Sequence, residues 1–146
     1  MSDGEGAAPH PYVLDVSILI AVARGDAGVM TLVQALDGQG RPLVIPALAV
    51  TAASLDARSD DADGLLEGLE LFGGAMIAPV RDAEQALALA AVISRTGLDP
   101  YDAHVAAVAD ASVCPILTLN GGTWREHARD LDEPLHCVEI ADPDDT

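Results

Sequence analysis

Five short apolar runs punctuate the chain, at Tyr12–Leu14, Pro42–Ile45, Ala75–Val80, Cys114–Leu119 and Leu135–Ile140. They are apolar nearly throughout and do not alternate with polar residues, the pattern of strands covered on both faces. The segments between them have helical character and clear punctuation. Val16–Arg24 stops at Gly25, Ala27–Leu36 ends at Gly38-Gln39-Gly40, and Pro46 opens an apolar helix that reaches Ala57. Arg58–Asp63 reads as a polar turn before a helix from Gly64 to Phe72, which stops at Gly73-Gly74. Asp82 caps a helix through Arg95 that ends at Gly97, and Asp99-Pro100 opens the next. Strands alternating with helices imply a three-layer α/β/α domain around a central, mainly parallel sheet. In such sheets ligands gather beyond the carboxyl ends of the strands. Asp15 and Asn120 each close an apolar run, so both are expected in that crevice if their strands are neighbours.

A length of 146 residues suits one domain. It is expected over residues 11–140, with aperiodic tails at 1–10 and 141–146 that are expected to be disordered. Twenty-four acidic residues against 7 basic give a net charge of −17, and there is no lysine. Proteins that bind nucleic acid non-specifically usually offer a Lys/Arg surface that displaces counterions. This composition argues against DNA and anionic membranes as partners, although a bound cation can reverse the sign locally. Cys114 and Cys137 lie in apolar surroundings without a C-x-x-C pattern and read as free thiols of a reducing compartment. The first nine residues are acidic and small and lack the apolar core of a secretory signal, so a cytoplasmic location is expected.

Four strings in order carry a resemblance: Val13-Leu14-Asp15-Val16-Ser17-Ile18-Leu19-Ile20, Leu43-Val44-Ile45-Pro46-Ala47-Leu48, Leu98-Asp99-Pro100-Tyr101-Asp102-Ala103-His104-Val105-Ala106-Ala107 and Ile116-Leu117-Thr118-Leu119-Asn120. Together they resemble the PIN domain, in particular the small ribonucleases typified by bacterial VapC toxins, over about residues 12 to 140. The resemblance implies acidic residues gathered at strand ends around one or two Mg²⁺ or Mn²⁺ ions. Hard divalent cations prefer oxygen ligands, and a bound cation activates water for attack on a phosphodiester. By position, Asp15 matches the first-strand aspartate, Asp102 the aspartate on the later helix, and Ser17 a small residue that orients Asp15.

Two matches fail. The resemblance places a glutamate near Thr51-Ala52-Ala53, where there is no carboxylate, and an aspartate where Asn120 stands. Asn120 offers a neutral oxygen at most. At an effective dielectric of about 20 and a separation of about 4 Å, each missing carboxylate removes roughly 8 kcal/mol of gross attraction for a divalent ion. The candidate metal set is therefore Asp15, Asp102 and Asn120, with Ser17, Thr51 and Asp99 in support and Mg²⁺ or Mn²⁺ binding weak or absent. Asp56, one turn beyond Ala52, is a candidate replacement ligand. Other readings stand beside these: Asp99 as N-cap with Pro100 at N1 and Asp102 at N3, His104 as a packed histidine, and Trp124 either at the crevice rim or over the core. His10, His127 and His136 read as surface or edge residues.

Two functions follow. One is a PIN-domain protein with a depleted metal site that acts through protein contacts, as a homodimer or with an antitoxin or regulatory partner. The other is an active Mg²⁺-dependent endoribonuclease of the VapC type, for which RNA is a substrate.

Overall fold

In the computed structural model, which describes residues 10–128 and 137–140, the apolar runs become β1 (Tyr12–Leu14), β2 (Leu43–Pro46), β3 (Ala75–Ala78), β4 (Ile116–Thr118) and β5 (Cys137–Glu139). They form one sheet in the order β3-β2-β1-β4-β5, and every pairing is parallel. Val13 stands at the centre, in register with Val44 on one side and Ile116 on the other. The chain winds outward from β1 through β2 to β3, then returns to lay β4 on the opposite side of β1. That reversal opens a crevice at the carboxyl ends of β1 and β4, the place where open α/β sheets bind ligands.

The connections supply α1 (Val16–Ala23), α2 (Ala27–Gly38), α3 (Ala47–Ala57), α4 (Asp60–Gly68), α5 (Ala83–Thr96), α6 (Pro100–Ser112) and α7 (Gly121–Ala128). Helices flank the sheet as the strand pattern implies, with α1 packed on α3 and α3 on α6. Val13, Leu14, Ile18, Leu19, Val22, Leu43, Ile45, Val105 and Ile116 are fully buried between them. Each such side chain contributes about 1.5–3 kcal/mol relative to exposure. None of the described helices is long and apolar enough to cross a membrane alone.

Two local details depart from the sequence reading. The expected turn at 58–63 is mostly helix: Arg58 turns left-handed at φ 51, Ser59 caps α4 by accepting the Ala62 N–H at 3.0 Å, and Asp60, Asp61 and Asp63 occupy the first turn. Negative charge there is favoured by the helix dipole, so the acidic run starts the helix instead of delaying it. The helix α7 was not expected at all, because Asn120-Gly121-Gly122-Thr123 has low helix propensity. Gly121 is buried where an added Cβ would come within 2.5 Å of the Glu139 side chain, so the close approach of α7 to β5 favours glycine. The expected tails, His10 excepted, and the first two residues of the last apolar run lie outside the described residues.

Helix α6 ends on Val113, a β-branched residue held at φ 55 with its side chain 83% exposed. Left-handed backbone costs a non-glycine residue roughly 1–2 kcal/mol, and glycine gives back about 0.5–1 kcal/mol of that in unfolded-state entropy. Val113→Gly is predicted to stabilise the protein by about 0.5–1 kcal/mol in urea denaturation. A loss of stability in that experiment would contradict the left-handed cap.

Candidate functional site

Asp15 directly follows β1 and caps α1. Its extended backbone turns the carboxylate back over the first turn, where Oδ1 accepts the Ile18 N–H at 3.0 Å. The same oxygen accepts the Ser17 hydroxyl at 2.6 Å, while Oδ2 accepts the indole N–H of Trp124 at 2.8 Å. The Asp15 residue is only 3% exposed. A carboxylate buried this deeply is costly unless hydrogen-bonded, and the three donors on its two oxygens offset that cost.

Ser17 carries the network on to β4. Having given its proton to Asp15, its oxygen accepts the Leu119 N–H at 3.0 Å and lies 3.4 Å from the Thr118 hydroxyl. The Thr118 oxygen in turn accepts the Asn120 N–H at 2.8 Å. Thr118 is fully buried, whereas Asn120 is exposed at the strand end.

The second carboxylate arrives on α6. Asp99 caps that helix by accepting the Asp102 N–H at 2.9 Å, with Pro100 in the first turn and Asp102 following it. Asp102 is half-buried, and its carboxyl is pushed up to about 6 by burial, then by the charges of Asp99 and Asp15, while His127 pulls it down. Asp15 and Asp102 therefore share one electrostatic neighbourhood. His127, read from sequence as an edge residue, reaches it from α7, where its Nδ1 lies 3.2 Å from the Thr96 carbonyl oxygen. Cys137 on β5 also feels Asp15: burial first and that charge second raise its thiol to about 11, against Arg125. It is a free, half-buried thiol held protonated at neutral pH.

The remaining candidates lie elsewhere. Thr51 is exposed on α3, donates to the Ala47 carbonyl at 3.2 Å, and lines a groove with Ser54, Asp63 and Glu67. Asp56 pairs with Arg24 of α1 at 2.8 Å. His104 is buried, and its Nδ1 accepts the Leu48 N–H at 3.2 Å, which leaves Nε2–H for the Pro79 carbonyl. Burial lowers its pKa, so it is a neutral strut tying α6 to the start of α3. Among the described residues, no three or more His, Cys, Asp or Glu side chains are grouped so as to hold a metal ion.

Trp124 is the residue whose role sequence reasoning missed. Its place four residues past Asn120 hinted at the crevice, but only the turn of α7 shows that its indole is 2% exposed and bonded to Asp15.

A family model described as the PIN domain matches residues 12–129. The chain belongs to the PIN domain family. Among solved structures, this PIN domain is similar to the crystal structure of VapBC2 from Rickettsia felis bound to a DNA fragment from the promoter. The TM-score is 0.60 at 14% identity, and the match covers 88% of this chain and 97% of that one. At that identity the likeness speaks for the fold. No curated protein matches the chain.

A raised folded-state pKa means that folding favours protonated Asp102. Its contribution is fully present below the ordinary aspartate range and is lost as pH rises through about 6. Asp102→Asn, which mimics the neutral form, is predicted to melt at a higher temperature than wild type at pH 8. The difference should shrink as pH falls through 6 and vanish near about pH 4. A pH-independent difference would show that burial and the neighbouring charges do not raise the Asp102 carboxyl in the folded protein.

Proposed function

We propose that this PIN-domain protein has a depleted metal site and acts through protein–protein contacts. One observation carries the reading. Both oxygens of Asp15, the carboxylate at the centre of the crevice, already accept N–H or O–H donors. Oδ1 takes two donors and Oδ2 one, so a single lone pair of Oδ2 is left for a cation, which needs several oxygen ligands around it. Asp102 is the only other carboxylate of the candidate set, Asn120 adds no charge, and Asp56 is engaged by Arg24 across α1 and α3. The residues present thus do not fit a bound Mg²⁺ or Mn²⁺, and no catalytic step is derived through one.

A surface suited to contacts accompanies this site. Leu55, Leu65 and Leu71 are exposed along α3, α4 and the 3₁₀ turn Leu69–Leu71, at 47%, 39% and 88%. Beside them a groove of about 380 Å³ has Val50, Leu66 and Ile77 among its lining and Asp63, Glu67 and Glu70 on it. Leu55 and Leu66 carry apolar surface into that groove, and apolar patches rimmed by polar residues mark interaction sites. The partner is a second copy of the chain or an antitoxin-like regulatory protein, in the cytoplasm. The likeness to VapBC2 supports a partnered PIN domain. The acidic, lysine-free surface disfavours direct DNA or membrane binding.

The second reading, a Mg²⁺-dependent ribonuclease of the VapC type, draws on a different observation. Asp102 and Asp15 lie close enough to repel, and a cation between them would relieve that repulsion. Calorimetric titration of Mn²⁺ into wild type and Asp15→Ala, with cleavage of structured RNA followed in parallel, separates the two. Millimolar or absent binding without Asp15-dependent cleavage is expected. Cleavage that Asp15→Ala abolishes would overturn the protein-contact reading. Light scattering is expected to show a homodimer, and a strict monomer at high concentration would leave only a second protein as the partner.

A further inference from the structure

The indole of Trp124 donates to the Asp15 oxygen that the helix cap leaves unused. Ile18 serves Oδ1 with the backbone N–H that any N-capping aspartate accepts, and Ser17 adds its hydroxyl from the same turn of α1. Oδ2 is different: its donor comes from 109 residues away, on a helix that begins after β4. That oxygen is the one not used by the cap and so the one free to serve a ligand in the crevice. Trp124 takes one of its two lone pairs with the positive end of an N–H dipole, at 2.8 Å and inside the core.

We propose that Trp124 is a positioning residue whose N–H takes the place of a cation at Asp15, and that this contact acts together with the shortage of carboxylates to keep divalent metal out. The inference rests on the depleted-site reading and names its cause. Removing the N–H while keeping the ring leaves Oδ2 buried, charged and without a donor, near the like charge of Asp102. Such an oxygen recruits the best available positive partner, and a hard divalent cation fits it. A neutral ring edge has nothing to offer it.

Trp124 is the only tryptophan in the chain, which makes the test site-specific. Mn²⁺ affinity is measured by electron paramagnetic resonance on wild type, on Trp124→Phe, and on protein in which tryptophan is replaced by its benzothiophene isostere. The isostere keeps the ring shape and lacks the N–H. Asp15→Ala in each background corrects for ions held loosely by the acidic surface. The expected result is at least a tenfold tightening of Mn²⁺ binding in the folded variants, lost with Asp15→Ala. An affinity equal to wild type, or a gain that survives Asp15→Ala, overturns the proposal. Should either variant fail to fold, the wild type decides: its lone indole N–H cross-peak is expected to persist in 1 mM Mn²⁺ (about the weak end of ordinary affinities). Its disappearance through paramagnetic broadening, absent in Asp15→Ala, overturns the proposal. Wild-type protein that binds Mn²⁺ tightly and cleaves RNA would sink the depleted-site reading as well. Equal and weak affinities in all variants would sink this inference alone.

Discussion

The carboxylate of Asp15 is the joint on which this domain turns. It sits at the point where the sheet reverses direction, caps α1, receives α7 through Trp124, and reaches β4 through Ser17. Two helices thus meet on its two oxygens, and β4 lies one hydrogen bond further on through the Ser17 hydroxyl. A buried charge is tolerable only while those donors hold, so the local hydrogen bonding and the sheet order support each other. In the same geometry, the group best placed to bind something is also the group most fully consumed by the fold.

Around that joint the charge balance is uneven. The acidic residues at 60–63 relieve themselves on the dipole at the start of α4, and Asp99 does the same at α6. Asp102 shares the start of α6 but is half-buried and faces both Asp99 and Asp15, so its carboxyl is still pushed up. His127 and Arg125 arrive from α7, and Arg125 makes a long 3.5 Å pair with Glu139 of β5. With 7 arginines against 24 acids, cationic partners are scarce, and the crevice depends on N–H dipoles for much of its compensation. An indole N–H at Asp15 is consistent with that economy of charge.

The central sheet was legible because short unbroken apolar runs have few other uses. Four strands formed within those runs, with Pro115 and Leu119 outside the ladder, β2 ran one residue past its run to Pro46, and the caps at Asp82, Gly97 and Asp99 stood where side-chain chemistry placed them. Less legible were the segments whose propensity and context disagree. Asp60 and Asp61 read as a turn because they are polar, yet a capping serine makes the same charges favourable in a helix. Gly121 and Gly122 read as loop, yet both lie in α7, where Gly121 is buried beside Glu139 of β5.

The sequence by itself determined the α/β order, the PIN-like strings, and the aspartates at the ends of β1 and the start of α6. It also determined that Thr51 and Asn120 bring no charge to that neighbourhood, since composition does not depend on folding. What only the tertiary structure decided is how the lone pairs of Asp15 are spent. Hydrogen-bond partners 102 and 109 residues apart, Ser17 with Leu119 and Asp15 with Trp124, are set by strand order and helix rotation. No local pattern encodes those distances, because they exist only once β4 has been laid beside β1.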